Sequence, residues 1–474
     1  GEEAVSVMDI EIIEATGNKS VVGAELAVSV LLSSLTRRNI CPNFVVTRGV
    51  FTCPFAPPPS HWGSAEEKEP LGSLYNPEIP MKKPRKPGAN KTGRYQYIRM
   101  ELCRFGDIEE YVGKQPGKSI DENLARIFLF QMAFSLHTAS DRIGMKHYDI
   151  KLLNFFLQSA NHDDVDIKAH SFTVLRYGVG EHVFNMRMPT SEALLVKLAD
   201  YGTANLRPES NGQPVTLGQF TTLENSPPEQ LLMGDAAVQS FGHDMFGLGL
   251  CMIHLFTGHA PYEEVMEEVT CPPNLKRSLR KIYENKSSKG FTVIRSVILS
   301  DVYEDEDGNT EGDADEVLYD TLYRFLVLFG IPSEKFDMKI CGKIWRAITS
   351  TLGGNKYDQD NDSRINNRRK VRGNGDKKSA PDMVTYHEDQ SRFSLLFGDD
   401  ERIARAREKL TRMEGGMELL NSLVVFDPDK RASALDVLNS TFMAPLREMG
   451  GAIKSDPTDI VYSYMAYSTD RGNT

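Results

Sequence analysis

The sequence has no C-x-x-C pair. Its six cysteines, Cys41, Cys53, Cys103, Cys251, Cys271 and Cys341, are scattered along the chain. This spacing argues against a zinc site or a disulfide framework, and it fits an intracellular, reducing compartment, cytoplasmic or nuclear. No apolar run is long enough for a bilayer: the longest, Met245–Phe256, falls well short of the roughly 20 residues a spanning helix needs. Positive charge is also short. A formal net charge of −11 argues against broad nucleic-acid affinity. No internal repeat is evident. The acidic run Glu304–Glu316 fails as a calcium loop. With Gly308 at the turn the first ligand position is Tyr303, and with Gly312 the final acidic position is Leu318. The remainder is ordinary for a globular protein with room for a sizeable core: 474 residues, 40% hydrophobic and 26% charged.

The most informative stretch is His147-Tyr148-Asp149-Ile150-Lys151-Leu152-Leu153-Asn154, followed by the apolar Phe155-Phe156-Leu157. Phosphoryl transfer needs three chemistries together: a carboxylate to orient and deprotonate a hydroxyl, a cation against the transferred phosphoryl, and an oxygen ligand for Mg2+. Asp149, Lys151 and Asn154 supply them within one short segment. Further on come Asp200-Tyr201-Gly202 after an apolar run, Thr222–Glu229, the hydrophobic stretch opened by Asp244-Met245-Phe246-Gly247, and Asp427-Pro428-Asp429-Lys430-Arg431.

In that order these segments resemble the protein kinase family, and the chain is identified as a member of it. His147–Asn154 is similar to the H-R-D-L-x-x-x-N catalytic loop, and Asp200–Gly202 to D-F-G with Tyr201 for Phe. Thr222–Glu229 resembles the segment ending in A-P-E. The resemblance implies roles. Asp149 receives or aims the substrate proton, Lys151 meets the γ-phosphate as in Ser/Thr kinases, and Thr222 bonds them both. Asn154 and Asp200 hold Mg2+, with Gly202 closing the metal loop. His147, Tyr201, Asp244 and the pair Glu229–Arg431 are structural. Upstream, Met100–Asp107 resembles the hinge between the lobes: backbone near Glu101 and Cys103 bonds an adenine edge, and Met100 is the gatekeeper. Cys103 reads either as a buried inert thiol or as a ligandable one. Apolar residues at helical spacing predict a long core helix from about Asp121 to Ser140.

The small lobe departs from the pattern. Glu25 is the best match for the helix Glu that pairs with a strand lysine. Counting back reaches Ala4-Val5-Ser6-Val7-Met8, with Met8 where the lysine belongs, and no G-x-G-x-x-G precedes it. Two explanations stay open: the chain starts inside the small lobe, or ordinary phosphate clamping has been dispensed with. Ser29 stands where kinases carry a large apolar residue, and Tyr148 replaces the Arg that pairs with an activation-loop phosphate.

The resemblance implies an α+β, two-lobed protein-kinase fold. A reduced β-rich small lobe spans 1–102, with a Pro-rich basic insertion at 54–94. A mainly helical large lobe spans 103–474, with insertions at 159–193 and about 263–412. Within 159–193, segments flanking Gly178-Val179-Gly180 predict an added β-hairpin. The expected function is transfer from ATP, with Mg2+, to Ser or Thr of a protein substrate. The alternative is an inactive pseudokinase serving as a scaffold or as a structural subunit with a partner. Oligomeric state and consensus are not legible.

Overall fold

In the computed structural model, the described residues are 3–11, 19–55, 92–162, 165–206, 225–227, 230, 239–267, 269–271, 273, 276–277, 319–321, 323–324, 400–425, 428–447 and 458–466. Most of the 54–94 insertion, Thr222, Glu229, Asp427 and the acidic and basic tracts lie outside them.

The first layer is an antiparallel sheet in the order β1-β3-β2, formed by β1 (Glu3–Asp9), β3 (Thr92–Glu101) and β2 (Thr47–Phe55). Helix α1 (Lys19–Arg37) buries Val28, Leu32 and Leu35. It is tied to the sheet by polar bonds. Ser33 Oγ accepts the Thr47 N–H at 2.7 Å, and the Arg37 guanidinium donates to the Thr47 carbonyl. Ser29, in the place of a larger apolar residue, turns its hydroxyl back onto the Leu26 carbonyl at 2.9 Å. This bond satisfies a buried donor but leaves the site with little bulk.

The second layer is mainly helical. Helix α2 (Ile108–Gly113) is capped by Asp107, whose carboxylate accepts from Glu110 N–H. Helix α3 (Glu122–Ile143) starts where Asp121 caps two amides and stops at Gly144, whose φ of +65° suits a residue without a side chain. Nearly every turn of α3 is buried, as its apolar periodicity predicts. Helix α4 (Gly242–Thr257) is buried along its whole length, and α5 (Glu401–Arg412), α6 (Gly416–Leu423) and α7 (Ala434–Asn439) surround it and α3.

Strands β4 (Phe155–Ser159) and β7 (Leu194–Leu198) form the hairpin that carries the exit of the His147–Asn154 loop and the approach to Asp200. Between them, β5 (Phe172–Val179) and β6 (His182–Pro189) pair through a two-residue turn with Gly180 at φ +56°. Strand β8 (Ile460–Ala466) adds to β5 in parallel, so the C-terminal tract completes a sheet in the order β6-β5-β8. This sheet is held to α3 by aromatic packing: Tyr177 and Phe184 meet Phe130, and Tyr177 also meets Phe134.

A buried amide joins these layers. Gln131 of α3 accepts from Asn43 Nδ2 (3.0 Å), from the Val196 N–H (2.9 Å) and from Tyr177 Oη (3.4 Å), and donates to the Leu194 carbonyl (3.3 Å). Replacing Gln131 with Leu keeps the bulk but strands those donors in an apolar setting. A loss on the order of 3 kcal/mol is expected, since each buried unmet group costs roughly 1–3 kcal/mol. Urea denaturation of the variant checks this.

Candidate functional site

The site is organised from below by Asp244, in the first turn of α4. Its carboxylate is buried, with Oδ2 accepting the His147 N–H and Oδ1 the Tyr148 N–H, each at 2.7 Å. Burial raises the Asp244 pKa, and His147 and the two amides pull it the other way. Tyr148 is thereby held at φ +68°, a left-handed conformation that costs a non-glycine residue roughly 1–2 kcal/mol. Gly247 lets the helix come this close: a Cβ there would lie 2.8 Å from the Ile150 carbonyl oxygen. The His147 ring accepts the Asp149 N–H at Nδ1 (3.4 Å), and Nε2 lies 3.0 Å from the Ala199 carbonyl. A proton on Nε2 lets the ring donate to the Ala199 carbonyl.

From this kink the functional groups converge. Asp149 Oδ2 lies 3.0 Å from Lys151 Nζ and 2.9 Å from Asn154 Nδ2, and that amide also donates to the Asp149 carbonyl at 2.8 Å. With its nitrogen so donated, Asn154 has Oδ1 as the end that suits a hard cation. The Ala199 N–H donates to the Asn154 carbonyl at 3.0 Å, which lays the start of Asp200-Tyr201-Gly202 alongside. Asp200 is exposed, sits at φ +57°, and accepts the Gly202 N–H at 3.5 Å. Tyr201 is buried. Its hydroxyl donates to the Leu198 carbonyl at 2.6 Å, and its ring meets His147 edge-on, so the Phe-to-Tyr change is satisfied internally.

Glu25 approaches Asp200 from α1. Burial, and secondarily the negative charge of Asp200, raise its pKa from 4.5 to about 7. Met8, 8% exposed, occupies the strand position opposite Gln96 where the sequence pattern places a lysine. The helix Glu therefore faces a second carboxylate.

At the other end of the cleft, Met100 pairs with Ala4 and Thr47 at the close of β3, and the buried ammonium of Lys197 lies 2.7 Å from Glu101. The Cys103 thiol is pushed up to about 12 by burial and the neighbouring Glu101, as an inert thiol requires. Arg431 donates to the Gly242 and Val425 carbonyls at 2.9 and 2.7 Å and lies over the Phe246 ring. Tyr148, unable to pair with a phosphate, donates its hydroxyl to Gln239 at 3.2 Å. Gln239 also accepts from Asn205 at 2.8 Å. The segment after Asp200 is thus joined to the His147–Asn154 loop by neutral bonds.

The structure brings together Asp149, Lys151, Asn154, Asp200 and Gly202 over His147, Tyr201 and Asp244. Sequence reasoning missed Lys197, Gln131, Gly247 and Gln239. Lys197 carried a signal, being the one charged residue in the apolar run Leu194–Leu198.

Compared with known families, the protein kinase domain matches residues 87–443. Met8 and Glu25 fall outside that span. No curated protein matches the sequence.

Because Glu25 holds its proton more tightly in the fold than in the unfolded chain, its contribution to stability is fully present below about pH 4.5 and falls as pH rises through about 7. Glu25→Gln should therefore raise the melting temperature more at pH 8 than at pH 5. Paired thermal melts at the two pH values measure the difference.

Proposed function

The chain belongs to the protein kinase family, and from that premise we propose that it transfers the γ-phosphoryl group of ATP to Ser or Thr of a protein substrate. The observation that carries this reading is the Asp149–Lys151–Asn154 triangle, in which one carboxylate oxygen faces both a cation and an amide at hydrogen-bond distance. Asn154 Oδ1 and the exposed Asp200 carboxylate offer the hard oxygen ligands that Mg2+ takes. Bound Mg2+ would neutralise the phosphate charge. Asp149 would orient the substrate hydroxyl and receive its proton. Lys151 would stand against the transferred phosphoryl and stabilise charge there. Its presence favours Ser or Thr over Tyr as acceptor.

A cavity of about 290 Å³ beside Leu153 offers room for a substrate side chain; its lining mixes Asp107, Glu109, Glu110 and Glu264 with Lys118 and His254, and Lys118 pairs with Glu264 at 2.9 Å.

Met8 and the Glu25–Asp200 approach favour a second reading, an inactive scaffold, because neither supplies a cation for the α- and β-phosphates. The two readings separate in one assay. Wild-type protein given Mg2+ and radiolabelled ATP should phosphorylate a mixed Ser/Thr peptide library. Asp149→Asn should lower the rate about a hundredfold or more. Because Tyr148 holds the catalytic loop to Gln239 and not to a phosphate, the triple change Ser210→Ala, Thr216→Ala and Thr221→Ala should leave the rate within about twofold. A rate that collapses in the triple variant and returns with acidic replacements would contradict the phosphate-independent arrangement. Absence of any transfer by wild type would leave the scaffold.

A further inference from the structure

The β6-β5-β8 sheet ends on one side at β8, and among the described residues no strand pairs with the outer edge of β8. The opposite edge of the sheet meets Arg447 through a bridge at Phe184. An open edge presents a row of main-chain N–H and C=O groups, which soluble proteins commonly blunt with a charge, a proline or a bulge. Strand β8 has none of these. Its residues Ile460-Val461-Tyr462-Ser463-Tyr464-Met465-Ala466 include no charged residue, no proline and no glycine. Its register with β5 runs without interruption from Thr173–Ile460 to Val179–Ala466.

The strand is held firmly from its inner side. Tyr464 packs on Tyr177 with ring centroids 5.4 Å apart. Tyr462 meets the His162 ring at 5.0 Å, and its hydroxyl accepts the His162 N–H at 3.3 Å. Just before the strand, the Thr458 carbonyl lies 2.8 Å from His170 Nδ1, and Arg187 reaches from β6 to the Asp459 carboxylate at 3.2 and 3.4 Å. An edge fixed in this way has little ordering entropy left to lose on pairing. Val461 and Ser463 remain exposed.

The order of residues selects the partner. Read outward from Ser463, the strand is alike in both directions: Tyr462 and Tyr464, then Val461 and Met465, then Ile460 and Ala466. Antiparallel pairing about a two-fold axis at Ser463 sets the members of each couple opposite one another. Aromatic and apolar cross-strand couples stabilise a sheet, and no like charges meet. The nearest charge, Asp459, is already neutralised by Arg187.

We propose that the outer edge of β8 is a homodimer interface, occupied by β8 of a second copy of this chain. The two sheets then run on as β6-β5-β8-β8-β5-β6, an isologous contact that closes on itself and leaves no further edge of β8 to propagate. A single short edge buries less than a standard interface, so the dimer is weak and depends on concentration.

Sedimentation of the full chain from about 1 to about 200 μM, the range in which a weak interface populates both states, should show a monomer–dimer equilibrium. Ser463→Lys and Ser463→Asp each place two like charges on the axis at an exposed position, and each should weaken association about tenfold or more. Mixing the two variants sets Lys against Asp and should restore the dimer. Wild type that stays monomeric throughout, or a dimer untouched by both variants, would overturn the proposal. A mixture that stays monomeric would overturn the two-fold register at Ser463. Amide exchange on wild type needs no variant: β8 amides that face the outer edge should gain protection as concentration rises while β5 amides stay constant. Protection of β8 independent of concentration would overturn the interface.

Discussion

The bond on which the site depends is the bidentate grip of Asp244 on the His147 and Tyr148 amides. It joins a helix buried from end to end to a loop that has to be strained. The left-handed Tyr148 and the close approach at Gly247 follow from it, and so does the direction in which Asp149 leaves the backbone. The buried carboxylate is held in position by two main-chain donors, with His147 and Lys146 adding electrostatic support. His147 extends the same support to Ala199, and with it to the segment that carries Asp200.

The cleft is unequally equipped along its length. Its lower side has carboxylate, amide and ammonium groups at bonding distance, while its upper side sets Glu25 against Asp200 with Met8 in the strand. Two carboxylates approaching each other raise the cost of keeping both ionised, and a divalent cation beside Asp200 would lower it. Tyr148, Gln239 and Asn205 replace a charge-dependent connection with a neutral one. The central buried amides, Gln131 and Asn43, link the β5–β6–β8 sheet to β7.

The large-lobe motifs were legible because their chemistry is local: Asp149, Lys151 and Asn154 lie within one turn of chain, and α3 and α4 announce themselves by periodicity and length. The hairpin around Gly180 was legible from its turn residues. What could not be read were contacts between residues far apart in sequence. Gln131 looks like a polar interruption of an apolar helix until Asn43, Tyr177 and Val196 are brought around it. Lys197 looks out of place in a buried strand until Glu101 and two carbonyls are seen at its amine. The parallel addition of β8 to β5 is likewise a long-range pairing that no local pattern encodes.

The most direct test of the account is the thermal stability of the chain with and without Mg2+·ATP, with Asp200→Asn as the control. Nucleotide at about a hundred times its dissociation constant should add about 2.7 kcal/mol of stability. The account predicts an upward shift that requires Mg2+ and disappears in Asp200→Asn. A folded chain whose melting temperature does not respond to Mg2+·ATP would contradict it.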